Sequence, residues 1–355
     1  MLGWMTTWKV KCGIATYSSH LIKHLKETPI ILAAKDEDSI HGLEAGEFRC
    51  WEKKSSDFSE LIDVIKQNGI TKLMIQHHPG QIIFNDLNEL LLLLNGLGVE
   101  TSITLHNTRE KPLIYRKNRI DRAISGLITC TNVIVHSAHD LNRLSKMDIS
   151  ENIHIIPHGI YSKPEDSVPL SLPEGRKIAT FGFLLPNKGF RQLIMAFSRI
   201  KDSRWDKLVM LCANRGDSDK EFLACNRLIA KLGLENDVIL NSEFLDDEVA
   251  ISTLAECDLV VFPYQKTKES ASGAARMAIA AGVPIAVTPL EIFSDLEGAI
   301  ELPGISSEEI SKGLSEISDE DLEHSRDHIT KFSDMYQWRK VSRMYQELIG
   351  GDSNE

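Results

Sequence analysis

The chain lacks several features that would place it at once. No run of about 20 apolar residues occurs among its 355, so no transmembrane helix is expected. The start, "MLGWMTTWKVKCG", has no basic n-region and no long apolar core, so it reads as a first strand and not as a signal peptide. None of the six cysteines (Cys12, Cys50, Cys130, Cys212, Cys225, Cys257) stands in a C-x-x-C pair, which argues against a cysteine zinc site and for reduced thiols in the cytosol. Positive charge is in deficit: the formal net charge is −11, which argues against general nucleic-acid binding. There is no internal repeat and no low-complexity segment.

What is present is an alternation. Short apolar runs recur with room for a helix between most neighbours: "LGWMT" (2–6), "IILAA" (30–34), "TKLMIQHH" (71–78), "VETSITLH" (99–106), "NVIVHS" (132–137) and "NIHIIPH" (152–158). A Pro-rich polar stretch, "SKPEDSVPLSLPEGR" (162–176), follows. Then come "KIATFGF" (177–183), "KLVMLCA" (207–213), "DVILNS" (237–242), "DLVVFPY" (258–264), "VPIAVT" (283–288) and "AIEL" (299–302). This is the βαβ signature of doubly wound parallel sheets, and the uninterrupted apolar runs are those of strands covered on both faces. The expected class is α/β with two Rossmann-like domains, 1–160 and 161–333. A last helix, "DMYQWRKVSRMYQELIG" (334–350), carries an apolar stripe at helical spacing.

Open α/β sheets bind ligands outside the carboxyl ends of their strands. In the first half His77, His78, His106, His136 and His158 all stand at such ends, which favours a polar cleft. A metal site is the rival reading of several histidines at one edge, and no metal is expected. "KCGIATYSSHLIKHL" (11–25) places Gly13 in the turn after the first strand, where a backbone can approach a ligand closely and helix amides make an anion site. "TFGFLLPNKGFRQLIMAF" (180–197) repeats the device, with Lys188 at a helix start. That is an unfavourable place for a cation, and a bound phosphate relieves it.

The most telling stretch is "KTKESASGAARMAIAAGVPIAVTP" (266–289). A helix opens at Ser272 and Gly273, ends at Gly282 and is stopped by Pro284. Amides of Ser272, Gly273 and Ala274 suit a phosphate. Arg276 leans back over Ser272, because helical side chains tilt toward the N-terminus. Ala274, Met277, Ala278 and Ala281 are expected to be buried. Glu269, with Ser270 beside it, reads as a ligand for sugar hydroxyls, since a carboxylate near an anion site needs a neutral partner.

In their order, "CGIATYS", "TLHNT", "VHSAHDL", "IPHGI", "FGFLLPNKG" and "ESASGAARMAIAAGVPI" resemble the retaining, nucleotide-sugar-dependent glycosyltransferases of the GT-B fold, family 4, the glycogen-synthase-like branch. The resemblance implies two Rossmann-like domains facing a central cleft, with a C-terminal helix (334–355 with its tail) crossing back to the first. It implies Lys188 as a diphosphate ligand, Glu269 as a donor-sugar carboxylate and His106 as a histidine near the donor sugar. It also implies Gly13 facing the diphosphate and acceptor. The sequence departs from the pattern twice. Phe183 stands where the family has a phosphate-binding arginine, and Met277 stands where it has a second glutamate. Arg276 is the expected replacement for the missing cation.

The implied activity is metal-independent hexosyl transfer with retention, from a nucleotide sugar to a glycan or lipid-linked saccharide, in surface polysaccharide or glycoconjugate synthesis. The nucleotide sugar is the donor substrate, and no cofactor is expected. The alternatives are a catalytically degenerate partner subunit, a nucleotide-sugar epimerase or a phosphorylase of the same fold, and a two-lobed ligand-binding protein. "TREKPLIYRKNRIDRAI" (108–124) holds Arg109, Lys111, Arg116, Lys117, Arg119 and Arg122 on an acidic protein. It reads either as a solvated helix face or as a peripheral contact with anionic lipid at the inner face of the membrane, in an otherwise cytoplasmic protein.

Overall fold

The structure, a computed structural model, describes residues 1–10, 12–35, 42–108, 113–147, 149, 151–164, 166–201, 203–214, 219–267 and 272–350. Two units are present, one formed by Met1–Gly159 with the chain from Trp338 onward, the other by Ile160–Gln337 apart from residues outside the description.

The first unit contains β1 (Leu2–Thr6), α1 (Gly13–Lys23), β2 (Ile30–Ala34), β3 (Glu47–Trp51), α2 (Ser59–Gln67), β4 (Lys72–His77), α3 (Phe84–Gly96), β5 (Glu100–Leu105), α4 (Ile124–Thr129), β6 (Asn132–Val135), α5 (Ala138–Ser145) and β7 (Ile153–Ile155). The strands form one sheet in the order β3-β2-β1-β4-β5-β6-β7. All pairs are parallel; Trp4 of β1, for example, lies opposite Ile31 on one side and Met74 on the other. The strand "EFRCW" (β3) has no counterpart in the sequence expectation. It lies at the sheet edge and buries only Cys50 and Trp51, so it lacks the continuous apolar run that marks its neighbours.

The second unit contains β8 (Lys177–Phe183), α6 (Phe190–Ile200), β9 (Lys207–Ala213), α7 (Asp219–Lys231), β10 (Val238–Asn241), α8 (Asp247–Ala255), β11 (Leu259–Phe262), α9 (Gly273–Ala281), β12 (Ile285–Val287), β13 (Ile300–Glu301), α10 (Ser307–Glu316) and α11 (Asp319–Met335). Its sheet runs β10-β9-β8-β11-β12-β13, again parallel. Alternate strand residues feed opposite faces. Ala179, Val209, Val260 and Phe262 pack with α8, α9 and α11, while Ile178, Leu208, Met210 and Val261 pack with α6, α7 and α10. Burying one such aliphatic or aromatic side chain contributes about 1.5–3 kcal/mol, so it is these faces that hold the helices.

The last helix is shorter than its apolar stripe suggests. The chain breaks at Tyr336, whose carbonyl accepts from Ile160 N (2.8 Å), and α12 (Trp338–Gly350) begins two residues later. Met335 therefore belongs to α11 and is exposed. Helix α12 is stitched to the first unit: Ser342 Oγ donates to Leu21 O (2.7 Å), Asn132 Nδ2 to Leu348 O (3.1 Å) and Lys72 Nζ to Ile349 O (3.0 Å). No helix among the described residues is long and apolar enough to cross a membrane.

Candidate active site

In the second unit Lys188 and the N-terminus of α9 lie at the carboxyl edge of the sheet. After β8 the chain makes a short 3-10 turn, Pro186–Lys188, and Gly189 then opens α6 in the left-handed region (φ 72°). A side chain at Gly189 is impossible, because its Cβ would lie 1.8 Å from Pro263 O. This contact, with Gln265 N donating to Asn187 O (2.8 Å), clamps the Lys188 loop onto the end of β11. Lys188 is itself buried, at 8% exposure, and its Nζ lies 3.8 Å from the centroid of the Tyr264 ring. A desolvated ammonium over an aromatic face gains about 2 kcal/mol.

Tyr264 also reaches the next element. Its hydroxyl lies 3.2 Å from Ser272 Oγ, and Ser272 caps α9 by accepting from Ala275 N (3.3 Å). The cap uses the third amide of the helix and leaves those of Gly273 and Ala274 to open it, with Gly273 exposed. Cation, phenol and helix N-terminus thus form one connected array. Tyr264 was missed by sequence reasoning; its only signal was an aromatic residue just past a strand end.

Arg276 is not part of that array. Expected to lean over Ser272, it is instead fully buried; its Nη2 donates to Asp295 Oδ2 and its guanidinium carbon lies 5.7 Å from the Phe332 ring centroid. The reason is that α9 is buried all round, including Arg276, Met277 and Ala280, so there is no solvent side along which the side chain can extend. Met277, at 3% exposure, is a core residue, whereas Ala274 is only half-buried. Phe183, at the arginine position, stacks on Phe244 with centroids 6.0 Å apart and planes at 21°. Glu269 and Ser270 lie outside the described residues.

In the first unit Gly13 is the first residue of α1 and is exposed, and a Cβ there would meet nothing within 4 Å. Nothing in the described chain requires glycine at this position. His106 follows β5, and both its ring nitrogens are engaged: Nε2 with Gln76 Oε1 (2.9 Å) and Nδ1 with His136 Nε2 (3.3 Å). Burial first, and then the neighbouring imidazoles of His136 and His158, hold its pKa well below the ordinary value, so the ring is neutral at pH 7.

Tyr17 of α1 organises these rings. It makes edge or tilted contacts with His106, His136, His158 and Trp338, while its hydroxyl bonds Tyr345 Oη at 2.8 Å. His77 and His136 correct the expectation that the strand-end histidines line a polar cleft. Both are buried, with His77 Nε2 facing Ile82 O (2.8 Å) and His136 Nδ1 facing Ile156 O (2.9 Å). Among the described residues no group of three or more His, Cys, Asp or Glu is placed to hold a metal. Of the basic stretch, Arg116, Lys117 and Arg122 are exposed and Arg119 pairs with Asp121 (3.3 Å); Arg109 and Lys111 lie outside the described residues.

Comparison with known proteins agrees with this fold. A family model described as "Glycosyl transferases group 1" matches residues 162–333. No curated protein matches the chain significantly. Among solved structures, a glycosyltransferase from Rickettsia africae superposes with a TM-score of 0.73 at 15% identity, covering 99% of both chains. Anabaena HepE, solved with UDP and glucose, gives 0.72 at 12% identity, also over 99% of both. The sucrose-phosphate synthase of Thermosynechococcus elongatus gives 0.71 at 12% identity over 99% of both. Residues 162–333 thus match the glycosyl transferases group 1 model, and the chain has the two-domain fold of the GT-B glycosyltransferases.

Proposed function

We propose that the protein is a retaining hexosyltransferase that moves a sugar from a nucleotide-sugar donor to a glycan or lipid-linked acceptor, without a metal ion. The observation that carries this reading is the array of Lys188, Tyr264 and the capped N-terminus of α9 in the group 1 domain. A departing nucleoside diphosphate needs fixed positive groups at its oxygens. The buried ammonium and the amides of Gly273 and Ala274 supply them, oriented before substrate arrives. A diphosphate oxygen held there accepts the acceptor's proton on the face that it leaves, which gives retention without a protein nucleophile. Glu269 is proposed to bond the hydroxyls of the donor sugar. On the first unit Gly13 and neutral His106 are the proposed ligand-facing residues. Structures of related fold carry such ligands: HepE was also solved with UDP-glucose.

Exposed Arg116, Lys117 and Arg122 support contact with an anionic acceptor or lipid surface, at the cytoplasmic face of a membrane. The burial of Arg276, together with Phe183 and Met277, favours a second reading, a partner subunit that has lost catalysis. Incubation with a panel of nucleotide sugars and saccharide acceptors in excess EDTA separates the two. The enzyme reading expects release of nucleoside diphosphate and a product whose anomeric configuration matches the donor's by NMR. Absence of turnover on every donor, with nucleotide binding intact, supports the degenerate subunit instead.

A further inference from the structure

Phe183 and Phe244 form an aromatic pair that the array just described does not use. Phe183 ends β8, and Phe244 follows the end of β10; β9 lies between those strands in the sheet. The rings are 6.0 Å apart and nearly parallel, and Phe244 is 51% exposed. Two backbone bonds past the strand ends hold the base of this pair: Leu184 N donates to Ala213 O (3.0 Å) and Asn214 N to Ser242 O (3.1 Å). The pair therefore presents an exposed Phe244 beside a half-buried Phe183, built on tied strand ends.

Its position relative to the anion-binding pole is set by Gly182. This residue has φ 137°, and a Cβ on it would lie 3.6 Å from the Cβ of Ala274 in the first turn of α9. The end of β8 thus touches the helix N-terminus on one side and carries Phe183 on the other. Along one sheet edge the order is an aromatic face, then a strand end with no side chain, then ammonium and helix amides. A ligand with a planar ring at one end, an anion at the other and a short polar link between them matches that order. A nucleoside diphosphate has this shape, with ribose as the link.

We propose that Phe183 and Phe244 are a stacking platform for the base of the nucleoside diphosphate, and that this platform sets donor preference by the size of the ring. The inference rests on the nucleotide-sugar reading above. A platform reads the face of a base and not its edge, so every base is tolerated and the overlapped area decides. Purines overlap more than pyrimidines, so ADP and GDP bind more tightly than UDP.

Isothermal titration of the full chain with ADP, GDP, UDP and inorganic pyrophosphate tests this, using wild type, Phe244→Ala and Phe244→Tyr. Loss of base stacking weakens binding about 5- to 150-fold. Phe244→Ala is expected to weaken the purine diphosphates by that factor and to remove their advantage over UDP. Pyrophosphate affinity stays at the wild-type value, and Phe244→Tyr restores nucleotide binding. Phe244 is exposed, so the substitution leaves the core intact. Equal affinity of Phe244→Ala and wild type for all three nucleotides overturns the platform while leaving the nucleotide reading in place. Failure of folded wild type to bind any nucleoside diphosphate overturns both.

Discussion

The ammonium of Lys188 lies 3.8 Å from the centre of the Tyr264 ring, and the hydroxyl of the same tyrosine lies 3.2 Å from the cap oxygen of α9. Tyr264 is thereby a positioning residue for both halves of the proposed anion site. Replacing it with leucine removes ring and hydroxyl together, a loss of about 1–2 kcal/mol of cation–π interaction alone. Tyr264→Leu is expected to weaken nucleoside diphosphate binding at least 5-fold. Tyr264→Phe, which keeps the ring, is expected to lose much less. Titration of both variants checks this, and equal affinities in the two would remove the ring from the account.

Arg276 and Asp295 behave as a structural pair. With Arg276 wholly buried, removing one partner strands a charge, a cost of about 3–5 kcal/mol. Arg276→Ala should therefore lower the melting temperature sharply, and Arg276→Met with Asp295→Leu should recover most of the loss. Near-normal stability in Arg276→Ala, with selective loss of donor affinity, would return the residue to the diphosphate.

The fate of Arg276 shows where sequence reading ends. Strands such as "KLVMLCA" were legible because burial on both faces leaves a continuous apolar run. The place of Lys188 at the start of α6 was legible because its electrostatic demand is local. The direction of the Arg276 side chain was not local. It depends on Asp295 and Phe332, brought to α9 by packing. The same holds for Phe183, whose partner Phe244 comes from beyond β10. Tyr264 was hidden because its role appears only when the Lys188 loop folds over it.

Two glycines are expected to part company. Gly189→Ala forces a Cβ into Pro263 O and should destabilise the fold and displace Lys188. Gly13→Ala meets open space, so its melting temperature should equal that of wild type while donor turnover falls, because the added methyl stands on the proposed path of the ligand. Thermal melts and turnover on the two variants decide it. Full activity in Gly13→Ala removes that glycine from the site.

Stability should fall in mild acid. Burial takes the His77 pKa down to about 3, and His106 is held well below its ordinary value by burial and then by its imidazole neighbours. In the unfolded chain both titrate at ~6.5. Below that pH the unfolded state binds protons that the folded state refuses, so stability is complete above it and is lost as the pH falls toward the folded-state values. At about pH 5 His77 alone accounts for ~2 kcal/mol. Urea unfolding of wild type and His77→Gln at neutral and acidic pH measures the difference. An identical drop in both would contradict the assignment.

The most direct measurement is single-turnover transfer with the best nucleotide-sugar donor, comparing wild type with Lys188→Ala in EDTA. The diphosphate site is the centre of the account, and losing one preorganised contact to a departing anion costs about 3 kcal/mol, or roughly two orders of magnitude in rate. The expected result is metal-independent transfer by wild type and a slowing of about 100-fold in Lys188→Ala, with donor still bound at high concentration. Wild-type rates in Lys188→Ala, or transfer by wild type that stops with EDTA and returns with a divalent ion, would contradict it.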